Sequence, residues 1–305
     1  GQPQRSDWLE LVDRVQLAPY APRDAAQAFE RGQVDLLLGG HLESLPLAIT
    51  EMIGARFAIE TDRGANVAPT ETITGLLSRR SLRRYDDREV PEELLDVLLA
   101  CAQSAPTKSN LQQYAIVVVS DTEVRARLAL LCPGTDWITT CPVFLVFCAD
   151  MRRNQRIADI RGHGHANNNM DTLLNAVVDS AMAMQCFITA AESVGLGCAP
   201  ISEVRNKIAE FSDVLDLPDG VFPIAGLTAG WPAQPGYINQ RLPSSIVIHR
   251  DRYEDVNLEA TVEDYDRRRH EIFPMPPSGQ RHTDKYGIAE ICTWSENRVQ
   301  IKVSS

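Results

Sequence analysis

Three stretches of the chain are short and apolar almost without interruption. Ala115-Ile-Val-Val-Val119, Val143-Phe-Leu-Val-Phe-Cys148 and the run from Pro223 to Thr228 predict buried strands, continuous in hydrophobicity because both sheet faces are covered. Elsewhere apolar residues recur at helical spacing. A helix is expected over residues 91–104, with Glu92 and Glu93 at the positive end of its dipole. A longer one begins at Asp171 and is closed by Gly195 and Gly197. It is rich in small residues (Ala176, Ser180, Ala181, Ala183, Ala190, Ala191), and both a dimer interface and the centre of a monomer core fit its apolar faces. Asn175, Asp179, Gln185 and Glu192 interrupt it and argue against a membrane span. Helices alternating with strands from Thr72 onward predict an α+β domain with a central sheet.

Toward the end, residues 251–271 hold eight acidic and four basic side chains around Tyr253, Leu258, Val262 and Tyr265, as in a solvated surface helix. Prolines keep residues 274–282 out of regular structure, and an arm or lid is expected there. At the other end, the polar stretch 61–70 with Gly64 and Pro69 marks a boundary. Residues 1–70 read as an extension of unassigned role and 71–305 as the main domain. Within the extension, residues 22–33 predict a helix and 34–38 a strand broken by Gly39 and Gly40.

Composition changes the picture in three ways. At 44 % hydrophobic and 23 % charged the chain is neither disordered nor fibrous. Its 41 acidic residues outnumber 30 basic ones, which argues against a nucleic-acid partner, whose phosphates demand a basic face. Seven cysteines without any CxxC pair read as buried thiols, so the expected compartment is reducing and cytoplasmic, with no secretory leader pattern in the first residues.

Against this acidic background, Arg79-Arg-Ser-Leu-Arg-Arg-Tyr85 concentrates four guanidinium groups around one hydroxyl. Guanidinium binds phosphate oxygens bidentately and stays charged, so a compact phosphorylated ligand is the first expectation; a solvated charge run is the bland alternative. Catalytic signatures are missing: no GxSxG, HExxH, P-loop or GxGxxG follows a strand. His163-Gly-His165 with Asn167-Asn-Asn169 lacks the further ligands a metal needs, and no metal site is expected. When no side chain carries a reaction, a cofactor is the natural carrier.

Four blocks then stand in order. Arg79-Arg-Ser-Leu-Arg83, Ser104-Ala-Pro-Thr-Lys-Ser-Asn-Leu-Gln112, Gly195-Leu-Gly-Cys-Ala-Pro-Ile201 and Leu217-Pro-Asp-Gly-Val-Phe-Pro-Ile-Ala-Gly-Leu-Thr-Ala-Gly-Trp-Pro232 resemble the nitroreductase and flavin reductase family. Residues 179–197 and Arg241-Leu-Pro-Ser-Ser245 share the likeness, which is greatest to the oxygen-insensitive NADPH-using branch. The resemblance implies a central, mostly antiparallel sheet flanked by helices, and a homodimer with FMN at the interface. Arg79, Arg80 and Ser81 would then hold the FMN phosphate and ribityl chain, Arg241 would close on the phosphate, and Arg83 would face the pyrimidine edge. Thr107, Lys108, Ser109, Asn110 and Gln112 would line the ring and ribityl side, some of them from the partner chain, with Thr135 near the pyrimidine. Pro200, Ile201, Ser202 and Glu203 would face N5 and O4. The implied activity is ping-pong: NAD(P)H reduces the flavin, and a nitroaromatic, quinone or free flavin then takes two electrons. Ser202-Glu203 replaces the branch's Gly-Gly pair, which keeps open a flavin-binding sensor or carrier without turnover; a reductive dehalogenase or flavin-consuming enzyme is an alternative within the family. Arg281 and His282 are candidates for the 2'-phosphate of NADPH.

Overall fold

A computed structural model describes residues 48–59, 61–164, 168–255, 257–280 and 283–300. The helix and strand expected within residues 22–38, the residues His165, Asn167, Arg281 and His282, and the end of the chain lie outside them. The described residues fall into two compact units, one of residues 48–78 with 238–300 and the other of residues 79–237.

The larger unit is built on a four-stranded sheet of order β1-β2-β4-β3, with β1 Tyr114–Val118, β2 Val143–Asp150, β3 Gly197–Ile201 and β4 Val221–Gly230, every pair antiparallel. All eight residues of β2 are buried, which explains its unbroken apolar sequence. Alternation along β2 divides the core. Val143, Leu145 and Phe147 join a cluster with Leu94, Leu98, Phe187 and Ile188, whereas Phe144, Val146 and Cys148 join one with Leu128, Ile138, Val204 and Phe211. Two helices, α3 Glu92–Gln103 and α7 Met170–Ser193, therefore cover one face, with Phe147 and Phe187 meeting edge to face at 6.4 Å. The other face is covered by α4 Thr122–Leu131, α5 Trp137–Thr140 and α8 Ile208–Val214, and α6 Arg152–Ile160 follows β2 directly.

By length and composition alone α7 is long and apolar enough to cross a membrane. In the fold, one stripe of it is buried: Ala176, Asp179, Ser180, Ala183, Phe187, Ile188 and Ala191. Asn169 starts it by accepting the Thr172 N–H, and Gly195 ends it at φ 89°. Gly197 does not close the helix but opens β3, a strand the hydrophobic pattern did not mark. The reason is packing: a Cβ on Gly197 would lie 2.6 Å from Leu82 Cδ1.

The smaller unit contains α1 Ile49–Phe57, α2 Glu71–Ser78, α9 Leu258–Ile272 and α10 Thr283–Tyr286. The helix expected over residues 251–271 begins only at Leu258, because Asn257 before it takes φ 60°, outside the helical region. Nor is it solvated all round: Tyr265 is buried against Trp294, and Arg268 donates to the carbonyls of Phe57 and Ala58 at the end of α1. Among the described residues of the proline-rich segment, Pro277–Gly279 forms a 3₁₀ turn.

Candidate functional site

The arginine run is laid against the sheet edge. Ser81 forms a parallel bridge to Cys198 of β3, the Leu82 N–H donates to the Cys198 carbonyl at 3.1 Å, and Tyr85 bridges Pro232. The Tyr85 hydroxyl donates to the Leu82 carbonyl at 2.7 Å and lies 2.8 Å from the Thr228 hydroxyl; burial pushes its pKa well above the usual phenol value. Extended backbone alternates sides, so Arg80 and Leu82 turn inward while Ser81 stays half-buried and Arg83 exposed. Leu82 fills the space left by two glycines, since a Cβ on Gly236 would also meet it, at 2.5 Å. Cations flanking an apolar anchor are thereby fixed beside β3.

Each cation has a different setting. Arg79 Nε pairs with Glu192 of α7 at 3.3 Å. Arg80 is 2 % exposed. The Arg83 guanidinium lies 5.6 Å from the centre of the Trp137 ring, an attraction between cation and π face that holds it in place. Trp137 follows Thr135, whose hydroxyl donates back to the Cys132 carbonyl at 2.7 Å and is spent within its own turn.

At the end of β3, Pro200 is exposed and Ile201 buried. A proline suits this edge strand, which needs no N–H on its open side. Ser202 is exposed, and Glu203 opens a 3₁₀ turn anchored by buried Val204. Glu203 Oε2 is buried without a hydrogen-bond partner among the described residues, and burial with the nearby Glu203 charge pushes the Cys132 thiol up to about 11.

The polar loop before β1 is a second cluster. Lys108–Asn110 forms a 3₁₀ turn, and Ser109, Asn110 and Gln112 take φ of 49°, 56° and 51°, left-handed backbone that non-glycine residues rarely adopt. Thr107 is half-buried, and the side chains of Lys108, Ser109, Asn110 and Gln112 are exposed. From α6, Arg153 donates to the carbonyls of Gln112 at 3.1 Å and Tyr114 at 2.8 Å, and Asn154 to that of Leu111 at 3.0 Å. From α7, Asp179 accepts the N–H groups of Lys108 and Gln113, each at 3.0 Å.

Arg241 belongs to the smaller unit. Its N–H donates to the Arg56 carbonyl at 2.9 Å, and the Arg56 guanidinium donates to the carbonyls of Leu77 and Asn239, so α1 and α2 together hold the backbone that presents Arg241.

The structure thus joins Arg79–Arg83 to Pro200–Glu203 through the Ser81–Cys198 bridge. It does not bring the 107–112 loop to them within one chain. Glu192 and Asp179, which touch the two clusters, are 13 residues apart on α7, about 20 Å along the helix axis at 1.5 Å per residue. Sequence reasoning missed Asp179, Glu192, Trp137 and Gly236. Two of these carried a signal, being carboxylates on an otherwise apolar helix.

The nitroreductase family model matches residues 76–231. A Bacillus subtilis FMN reductase [NAD(P)H] is 35 % identical over 213 residues, covering 69 % of this chain and 86 % of the relative. An oxygen-insensitive NADPH nitroreductase of Salmonella typhimurium is 34 % identical over 226 residues, 74 % of this chain and 88 % of its own. The solved structure of Bacillus megaterium NfrA2 superposes with a TM-score of 0.69 at 32 % identity, covering 78 % of this chain and 92 % of that one. The chain belongs to the nitroreductase family.

Proposed function

We propose that this protein is an FMN-dependent NAD(P)H oxidoreductase that passes two electrons to a nitroaromatic, quinone or flavin acceptor, and that it works as a homodimer. The observation that carries the reading is the docking of Arg79-Arg-Ser-Leu-Arg83 on β3, which sets guanidinium groups and a hydroxyl beside the strand end Pro200–Glu203. The donor set suits FMN. Arg79 and Ser81 would offer a cation and a hydroxyl for the phosphate and ribityl chain, with Arg80, 2 % exposed, adding charge behind them; Arg241 is assigned to the phosphate from the sequence likeness alone. Arg83, steadied by Trp137, offers a permanent cation to negative charge at the pyrimidine edge. The buried, unpartnered Glu203 Oε2 has acceptor capacity to spare.

When bound, FMN supplies the hydride acceptor and two-electron donor that the protein's own side chains lack. The chain's part is to hold, orient and shield: β3 presents Pro200 and Ser202 at an open edge, and the 107–112 loop presents the Lys108 cation with the neutral polar side chains of Ser109, Asn110 and Gln112.

Two features support the homodimer. Met170, Leu174, Val178 and Met182 form a stripe on α7, at 67, 56, 53 and 38 % exposure, that nothing among the described residues covers to burial. The separation of the loop from the arginine run along α7 is also what a two-fold pairing of these helices would remedy, each chain lending its loop to the other's arginines. Seven free thiols support a reducing compartment.

The test is direct. Purified protein reconstituted with FMN should be yellow, and NADPH or NADH should bleach it without oxygen, with colour returning on addition of a nitroaromatic or quinone. Failure to take up FMN refutes the proposal. A second reading, a flavin-binding module without turnover, is favoured by the buried Glu203 Oε2, which has no hydrogen-bond partner among the described residues, and bound FMN that neither nicotinamide bleaches would select it.

A further inference from the structure

We infer that Asp179 is a positioning residue of the flavin site, one that pre-forms the 107–113 loop before any ligand arrives; the inference rests on the FMN reading above. Asp179 is 1 % exposed on the buried stripe of α7, where a carboxylate is costly unless each oxygen is used. Both are used: Oδ1 accepts the Lys108 N–H and Oδ2 the Gln113 N–H, at 3.0 Å each. These two amides bracket the turn that contains Ser109, Asn110 and Gln112, the three residues in left-handed backbone. Such backbone persists only where its surroundings over-determine it. The loop's carbonyls are taken by Arg153 and Asn154 on α6, so Asp179 supplies the complementary grip on its amides.

A carboxylate is the group for this task. It offers two acceptor oxygens to two donors, and its charge strengthens both bonds. Asparagine of the same shape offers one oxygen, and its amide would face the second N–H donor to donor. Gripping the turn by its backbone leaves the exposed side chains of Lys108, Ser109, Asn110 and Gln112 for a ligand. Asp179 touches none of that ligand; it acts through the loop.

The experiment uses apoprotein of the full chain, titrated with FMN and followed by quenching of flavin fluorescence. Asp179→Asn should bind FMN about 10-fold more weakly or worse, the worth of one hydrogen bond to a charged group. Ser180→Ala, altering an equally buried neighbour whose hydroxyl has no hydrogen-bond partner among the described residues, should bind as the wild type does. Melting of both apo variants separates this loss from unfolding. Hydrogen exchange on wild-type apoprotein gives an answer that needs no variant: the Lys108 and Gln113 amides should already be protected without FMN. Asp179→Asn binding within twofold of wild type, Ser180→Ala weakening binding equally, or those two amides exchanging freely until FMN is added would each overturn this inference and leave the FMN reading intact. A wild-type protein that binds no FMN overturns both.

Discussion

Gly197→Ala tests whether Leu82 is the peg that fixes the arginine run. The added methyl would lie 2.6 Å from Leu82 Cδ1, 3.2 Å from Cγ and 2.8 Å from Cβ. Rotating the Leu82 side chain moves the first two atoms but not the third, and the Leu82 backbone is tied to the Cys198 carbonyl at 3.1 Å. The clash must therefore be relieved by moving backbone. Overpacking of this kind costs about 1–3 kcal/mol. Alanine in extended backbone recovers about 0.4–1 kcal/mol from the unfolded chain. The net loss centres on about 1.3 kcal/mol, or roughly 3–5 °C in Tm for a domain of this size. FMN affinity should fall with it, because Arg80, Ser81 and Arg83 flank the displaced residue. The control is Gly75→Ala on α2, where a Cβ meets nothing within 4 Å and the variant should gain about 1 kcal/mol in stability. Thermal melts and FMN titration of both variants decide the matter. A Gly197→Ala protein that melts at or above the wild-type temperature and binds FMN unchanged refutes the docking described for Leu82.

The two outer arginines should separate by phenotype: Arg83→Ala should keep FMN but lower its midpoint potential in spectroelectrochemical titration, while Arg79→Ala, which also strips Glu192 of its ion pair, should release FMN on gel filtration. Burial pushes the thiols of Cys141 and Cys148 up to about 12, so the unfolded chain loses those protons near pH 9 while the folded one keeps them. The contribution of these thiols should be flat below pH 9 and fall between pH 9 and 12, by up to about 1.4 kcal/mol per pH unit for each thiol, and urea midpoints at pH 7, 9 and 10.5 read the slope. Val178→Asp, in the middle of the exposed α7 stripe, should give a folded monomer by light scattering; an unchanged dimer would move the interface elsewhere.

What could be read from the chain, and what could not, follows from how locally each feature is determined. β2 and β4 announce themselves because strands covered on both faces must be apolar throughout. β3 does not, because Gly197-Cys-Ala-Pro-Ile201 is a strand only by virtue of β4 on one side and the Leu82 peg on the other. The arginine run was visible as an excess of cations, but its division into an ion-paired Arg79, a buried Arg80 and a ring-stacked Arg83 depends on Glu192 and Trp137, far away in sequence. Asp179 was visible only as an interruption in an apolar helix, since its meaning lies in two backbone amides some 70 residues earlier. The same holds for Arg241, whose support by Arg56 comes from a helix outside the span the family model matches.

The wholly buried β2 also sets a problem for the chain as it leaves the ribosome. β1 is ready to pair with one edge at once, but β4, which must take the other, begins at Val221, 71 positions after Asp150. At roughly 5–20 residues per second, that edge waits roughly 4–14 s for its partner. During the wait, Val143-Phe-Leu-Val-Phe-Cys148 is the kind of uncharged, β-forming segment that pairs with other copies of itself. Yield of soluble protein should therefore respond to translation speed and chaperone supply through this strand, whatever the stability of the finished fold.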